Sequence, residues 1–85
     1  MTKDTLGTVK EFILAEFLPG EDPNALTSST PLITGGILDS IATLKLVGFL
    51  EETFRIQLEP HEVDADNLDT LAAIERLVAR KGRAT

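Results

Sequence analysis

The sequence predicts an all-α protein, a small bundle of three main helices and one short helix. In three separate segments, apolar residues recur every three or four positions, the spacing that places them on one face of a helix. The strict alternation of apolar and polar residues that is typical of strands does not rise above noise. The chain has 85 residues and is predicted to form one domain over residues 1–85, with a limited core, because a chain of this size buries only about 60–65% of its unfolded surface.

The composition argues against several classes of function. The chain has no cysteine, so it offers no disulfide and no thiolate metal site, and any thiol chemistry must come from a cofactor. Its formal net charge of -6 argues against nucleic-acid binding, which requires lysine and arginine, and favours basic protein partners. No apolar run approaches the roughly 18 residues of a membrane span, and the first residues lack the apolar region of a signal peptide. We therefore expect a cytoplasmic monomer without membrane insertion.

The first predicted helix covers about residues 4–17, and Pro19-Gly20 ends it because proline cannot continue the helical hydrogen bonds. Its apolar stripe consists of Leu6, Val9, Ile13 and Phe17. The loop that follows, residues 18–38, has a length that is uncommon in compact domains unless the loop is functional or disordered. Apolar residues recur along it, so we expect it to pack onto the core. They are Leu26, Leu32, Ile33 and Ile37.

The second predicted helix covers about residues 39–55 and has two adjoining apolar faces, which indicates more than one neighbour or a partly exposed patch. The face expected in the core carries Ile41, Leu44, Val47, Leu50 and Phe54, and the adjoining face carries Leu46 and Phe49. A short helix over about residues 60–66 begins at Pro60, which the first turn of a helix tolerates. The last helix, over about residues 69–81, is opened by Asp69 or Thr70. Its apolar side consists of Leu71, Ile74, Leu77 and Val78.

Ser40 follows a loop that contains Gly35 and Gly36, and it lies where the second predicted helix begins. The first backbone N–H groups of a helix have no intrahelical partner, and the positive end of the helix dipole faces them. A phosphate on the serine oxygen would suit such a site. The residues by themselves also allow a simpler interpretation, in which Asp39 or Ser40 caps the helix, as these residue types commonly do.

The chain resembles the acyl carrier protein and peptidyl carrier protein family over nearly its whole length. The resemblance lies in TPLITGGILDSIATLKLVGFLEETF, residues 30–54, and in RIQLEPHEVDADNLDTLAAIERLV, which follows. Leu38-Asp39-Ser40-Ile41 matches the segment that carries the prosthetic group in that family. The resemblance implies a 4′-phosphopantetheine arm on Ser40, donated from coenzyme A. It further implies a free-standing carrier that holds acyl or aminoacyl groups as thioesters and catalyses no reaction itself.

The resemblance also implies the partners of such a carrier. They are a phosphopantetheinyl transferase, an acyl- or aminoacyl-loading ligase or synthase, and a downstream acyltransferase or condensing enzyme. Asp39 is expected to cap the helix, to take part in the encounter with the transferase, or both. In this family the residues at Leu38 and Ile41 pack against the base of the arm or contact the transferase, although the helical spacing favours a core position for Ile41.

The second helix is expected to carry the surface that partner enzymes bind. We expect an apolar contact near Ala42 and Leu46, and a basic partner patch opposite Glu51 and Glu52, although such glutamates are usually solvated. Carriers of fatty acid synthesis typically have acidic residues two and five positions after the serine, where this chain has Ala42 and Lys45. This difference favours a dedicated pathway, such as polyketide or nonribosomal peptide synthesis.

Three other interpretations have weaker support. Asp64, Asp66 and Asp69 do not complete a calcium loop, because Leu68 and Asp69 stand where a ligand and a glycine are required. A hydrolytic triad of Ser40, His61 and an aspartate lacks the G-x-S-x-G turn that presents a serine nucleophile. The main alternative to a carrier is a helical interaction module that shares the fold but bears no arm.

Overall fold

The computed structural model describes residues 5–82, which form an all-helical bundle. The helices are α1 (Thr5–Phe17), α2 (Ser40–Phe54), the short α3 (Ala65–Leu68) and α4 (Leu71–Gly82). Single turns of 3₁₀ helix lie at Pro23–Ala25 and Pro60–Glu62. The predicted all-α class, with three main helices and a short one, is confirmed. Within residues 5–82, none of the helices has the length and apolar character needed to span a membrane.

The predicted short helix over residues 60–66 is divided into two pieces. Pro60–Glu62 form one 3₁₀ turn, and α3 begins only at Ala65. The break arises because Asp64 has extended backbone angles, φ -148° and ψ 175°, and its side chain accepts a hydrogen bond from the Asn67 N–H at 3.0 Å. A residue with this geometry caps a new helix and cannot continue the previous one. Asp4, the predicted start of the first helix, lies outside the described residues.

Thr70, and not Asp69, caps α4. The Thr70 hydroxyl accepts a hydrogen bond from the Ala73 N–H at 3.0 Å, the pattern of a helix N-cap. Asp69 instead ends α3, since its own N–H donates to the carbonyl of Ala65 at 2.9 Å. The carboxylate of Asp69 is therefore available for contacts outside both helices.

The long loop between α1 and α2 is part of the core, as predicted. Its residues Leu26, Leu32 and Leu38 are 2%, 0% and 3% exposed, and Ile33 and Ile37 pack against the core. Two backbone hydrogen bonds join the loop to the region of α4: Leu32 N–H donates to Asp69, and Ala72 N–H donates to Ser28 at 3.1 Å. The helices contribute the remaining fully buried residues, which are Val9, Ile13, Leu46, Leu50, Leu68, Leu71, Ile74 and Leu77.

The expected orientation of α2 about its axis is wrong. Ala42, Leu46 and Leu50 are buried, whereas Ile41 and Leu44 are 67% and 66% exposed. The expected stripe and the buried stripe both include Leu50 and both have helical periodicity, so the local pattern allowed two solutions. Packing against the rest of the bundle decides between them. It buries the stripe with four-residue spacing, which consists of Ala42, Leu46 and Leu50.

All four phenylalanines of the chain lie in one row along α1 and α2. Phe12 of α1 and Phe49 of α2 are stacked, with ring centroids 4.0 Å apart and planes at 13°. Phe17 meets Phe12 edge to face at 5.7 Å, and Phe54 meets Phe49 edge to face at 6.4 Å. Aromatic pairs of this geometry contribute about 0.5–1.5 kcal/mol each beyond their buried area. The row therefore attaches the C-terminal half of α2 to α1, away from Ser40.

Candidate functional site

Two glycines shape the loop that leads to Ser40. Gly36 has a φ of +85°, in the left-handed region that side chains disfavour, and its N–H donates to the carbonyl of Ile33 at 3.1 Å. At Gly35, a Cβ atom would collide with the carbonyl oxygen of Pro31. The chain therefore makes a tight turn here that returns it to the surface at Asp39.

Asp39 caps α2 and leaves the serine exposed. Its backbone is extended and its Oδ1 accepts a hydrogen bond from the Ala42 N–H at 2.7 Å. Its carbonyl accepts from the N–H and the hydroxyl of Thr43, both at 2.8 Å. Ser40 is the first residue of the helix and is exposed. Since Asp39 performs the capping, the Ser40 hydroxyl is not required for that role.

A groove with a volume of about 560 Å³ lies beside Ser40. Ile33 and Leu38 of the loop line it, together with Val63, Asp64 and Ala65 at the start of α3. Asp39, Ser40, Thr43 and Leu44 contribute from the first turns of α2. The surface is therefore mostly apolar, with two carboxylates and two hydroxyl groups.

Asp69 is the part of this site that the sequence did not reveal. Its Oδ1 accepts hydrogen bonds from the N–H groups of Ile33 and Thr34 at 2.8 and 2.9 Å, and its Oδ2 accepts from the Thr34 hydroxyl at 2.9 Å. These bonds, led by the one from the Thr34 backbone, hold the pKa of Asp69 below its ordinary value. The donors lie 35 and 36 residues earlier in the chain, so no local pattern indicated them.

The chain is similar to the probable acyl carrier protein PigG of a Serratia species. The two are 35% identical over 68 residues, which cover 80% of this chain and 77% of PigG. The chain belongs to the acyl carrier protein family. It is also 38% identical over 68 residues to the lincomycin biosynthesis protein LmbN of Streptomyces lincolnensis, but this match spans only 24% of that protein's length. No protein-family model matches the chain.

The partner surface that was expected on α2 of this acyl carrier protein needs correction. Leu38, Ala42 and Leu46 are 3%, 8% and 0% exposed, so they stabilise the core and cannot receive a partner. The reason is the orientation of α2, which directs this stripe inward. Ile41 and Leu44 are exposed in their place, and Lys45 and Glu52 are exposed on the same helix.

Glu51 has a contact within the protein that the sequence did not predict. Its Oε2 accepts a hydrogen bond from the Leu58 N–H at 2.9 Å, and the residue is half-buried. The side chain therefore stabilises the segment that follows α2. Glu52, in contrast, is open to solvent.

His61 and the three aspartates that the sequence groups after Pro60 are spread over separate contacts or lie exposed. Asp64 caps α3 and Asp69 binds the loop, while Asp66 is exposed. In the part of the chain that the structure describes, no three side chains of metal-binding type are grouped so that they could hold an ion. His61 is exposed on its 3₁₀ turn, and it is not among the residues that line the groove at Ser40.

Proposed function

We propose that this protein carries acyl or aminoacyl intermediates as thioesters on a 4′-phosphopantetheine arm attached to Ser40. The observation that supports this most strongly is the arrangement at the start of α2. Ser40 is exposed on the first helical residue, while Asp39 performs the capping through its 2.7 Å bond to Ala42. A primary alcohol in this position is free to form a phosphodiester.

The residues around Ser40 fit a phosphate-linked group. The N–H groups of the first turn of α2 and the positive end of its dipole favour an anion at the serine oxygen. When bound, the arm supplies a terminal thiol, which the cysteine-free chain lacks. Ser40 then serves as the attachment point, Asp39 fixes the backbone beneath it, and the apolar groove offers a surface for a chain-like group. Its volume of about 560 Å³ lies within the range of about 300–1,000 Å³ that is typical of small-molecule sites.

We further propose that partner enzymes dock on the exposed face of α2 next to Ser40. Ile41 and Leu44 lie one turn apart and are the only exposed large apolar side chains among residues 5–82. Such a pair on one helix face suits an apolar recess in a transferase, a loading enzyme or a downstream acyltransferase. Lys45 lies next to Leu44 on this face and would meet an acidic group of the partner.

The pathway is proposed to be a dedicated biosynthetic one. Lys45 occupies a position at which carriers of fatty acid synthesis typically have an acidic residue. A partner enzyme that recognises that acidic residue would meet a charge of the opposite sign here. The name of LmbN refers to lincomycin biosynthesis, and a pathway dedicated to one product is proposed here as well. A polyketide, a nonribosomal peptide or a related product would fit the same carrier.

Enzymatic modification tests the central proposal. Incubation with coenzyme A, Mg²⁺ and a broad-specificity phosphopantetheinyl transferase should add one arm, and peptide mapping should locate it on Ser40. Ser40→Ala should remain folded, because the hydroxyl is exposed and its loss leaves no cavity, yet it should gain no mass. Ser28→Ala and Ser29→Ala are the matched controls and should be modified normally. A modification at another serine, or none in the parent protein, contradicts the proposal.

A second function has one observation in its favour. The exposed pair Ile41 and Leu44 would serve equally in a helical interaction module that bears no arm. The same experiment separates the two functions, because an interaction module would not be modified at Ser40. Loss of modification in Ile41→Ala with the fold intact would connect the apolar face to the transferase and favour the carrier.

A further inference from the structure

Asp69 joins two segments that line the groove beside Ser40. On one side, its carboxylate accepts hydrogen bonds from Ile33 N–H and Thr34 N–H at 2.8 and 2.9 Å, and from the Thr34 hydroxyl at 2.9 Å. On the other side, its own N–H donates to the carbonyl of Ala65 at 2.9 Å. Ile33 and Ala65 both line the groove. One residue therefore connects two segments that contribute to it.

Backbone hydrogen bonds connect the main chain at Asp69 to the residue that precedes Asp39, and the carboxylate bonds to Ile33 and Thr34 lie beside this path. The carbonyl of Asp69 accepts from the N–H of Leu32, and the carbonyl of Leu32 accepts from the N–H of Leu38 at 2.8 Å. Leu32 and Leu38 are both buried, at 0% and 3% exposure, so this path lies in the protein and not in solvent. Leu38 is followed directly by Asp39, the cap of α2, and by Ser40.

We propose that Asp69 is a positioning residue for Ser40. The Asp69 carboxylate holds the loop of residues 32–38 in the arrangement that a phosphopantetheinyl transferase recognises. This inference rests on the proposed function of Ser40. It gives Asp69 no chemical step, because its carboxylate contacts the loop and not the serine. Thr34 is its main partner, since it contributes two of the three hydrogen bonds to the carboxylate.

The proposal predicts a specific kinetic signature. Without Asp69, only a fraction of the molecules has the loop in the competent arrangement, and the apparent affinity of the transferase falls by that fraction. The complex that reacts is unchanged, so kcat stays the same. A residue that merely contributes to stability would lower the melting temperature but would not affect KM at a temperature where the protein is folded.

Four variants separate positioning from general stability. Asp69→Ala removes all contacts of the carboxylate, Asp69→Asn keeps one acceptor oxygen, and Thr34→Val removes the hydroxyl alone. Thr70→Ala is the matched control, because Thr70 is adjacent in sequence and its hydroxyl accepts from Ala73 in α4. It weakens a helix cap without touching the bonds between Asp69 and the loop.

The first readout is the steady-state rate of Ser40 modification with coenzyme A and a purified transferase, at a temperature where every variant is folded by circular dichroism. Asp69→Ala should raise the KM for the carrier about tenfold, equivalent to a competent fraction of roughly one in ten, with kcat unchanged. Asp69→Asn and Thr34→Val should give smaller increases. Thr70→Ala should leave KM unchanged although it melts earlier.

The second readout is amide hydrogen exchange of the unmodified protein, followed by NMR. Exchange at Gly36 and Leu38 should accelerate in Asp69→Ala and not in Thr70→Ala. This measurement needs no transferase, so it shows whether Asp69 holds the loop even if the parent protein is not modified. Failure of modification in the parent protein would overturn the proposed function, whereas unchanged exchange in Asp69→Ala would overturn the role of Asp69.

If the parent protein is modified, the proposal requires that both the KM and the exchange rates change as described. An unchanged KM in Asp69→Ala, an unchanged exchange rate at Leu38, or an equal KM increase in Thr70→Ala overturns it. If Asp69→Ala does not fold, Thr34→Val decides by the same criteria.

Discussion

Replacing Leu46 with alanine should destabilise the protein strongly, whereas the same change at Leu44 should have little effect. Leu46 is fully buried in the core, and Leu44 is 66% exposed on the opposite side of α2. Truncation of a buried leucine removes transfer free energy and leaves a cavity, at a cost of about 2–5 kcal/mol. Domains of this kind are stable by only about 5–15 kcal/mol in total, so the variant loses a large share of its stability.

The matched substitution makes the test specific for the orientation of α2. Both variants replace leucine with alanine inside the same helix, so the change in helix propensity is small and equal. Leu44→Ala should shift the free energy of unfolding by no more than about 0.5 kcal/mol, as surface changes generally do. Urea denaturation followed by circular dichroism measures both values, with equal m-values as the check that the denatured states are alike. A larger loss in Leu44→Ala than in Leu46→Ala would refute the orientation described above.

The remaining predictions concern backbone conformation, acid stability and partner charge. Gly36→Ala should destabilise by about 1 kcal/mol because of its positive φ, while Gly48→Ala should stabilise by about 0.5–1 kcal/mol because its Cβ enters open space within α2; equal urea midpoints would contradict both. The pKa values of Asp69 and Glu62 are lowered, the latter first by the Glu59 backbone N–H and then by Lys81. Their contributions to the free energy of unfolding are therefore complete above about pH 5 and are lost as the pH falls below about 4. The melting temperature of Asp69→Asn should depend less on pH across this range than that of the parent protein. An identical pH dependence in the two proteins would show that Asp69 makes no such contribution. Lys45→Glu should accelerate acylation of the phosphopantetheinylated carrier by enzymes of fatty acid synthesis, most strongly at low salt; Arg76→Glu, the same charge change on α4, is the control, and an equal response would show a general effect of net charge.

The positions of the main helices and of Ser40 could be predicted because the determining interactions are local. Apolar spacing defines a helix within a few turns, and the proline-glycine pair after α1 ends it by its own geometry. The start of α2 depends on Asp39 and the three residues that follow, all adjacent in the chain. Such features are read from a short window of sequence, and the structure places them close to the predicted residues.

The orientation of α2 and the role of Asp69 depend on residues far apart in the chain. Two overlapping apolar faces of α2 satisfy the same periodicity, and only contacts with α1, α4 and the loop select one. The sequence suggests Asp69 as a helix cap, because its position before a helix suits that role. Its partners Ile33 and Thr34 lie on the other side of α2 in the sequence, and no motif connects them.

The orientation of α2, which the local pattern did not predict, fits the proposed docking of partner enzymes on its exposed face. Turning Ala42 inward and Leu44 outward buries a methyl group where a larger side chain was available, so it forgoes part of the hydrophobic stabilisation that α2 could contribute. The exposed pair, Ile41 and Leu44, lies within one turn of Ser40 and next to the groove. Apolar side chains that are kept out of the core beside a modifiable hydroxyl are consistent with repeated, reversible contacts with partner enzymes. The local apolar pattern and the packing of the bundle therefore disagree at the proposed docking face, and such disagreements are expected at functional sites.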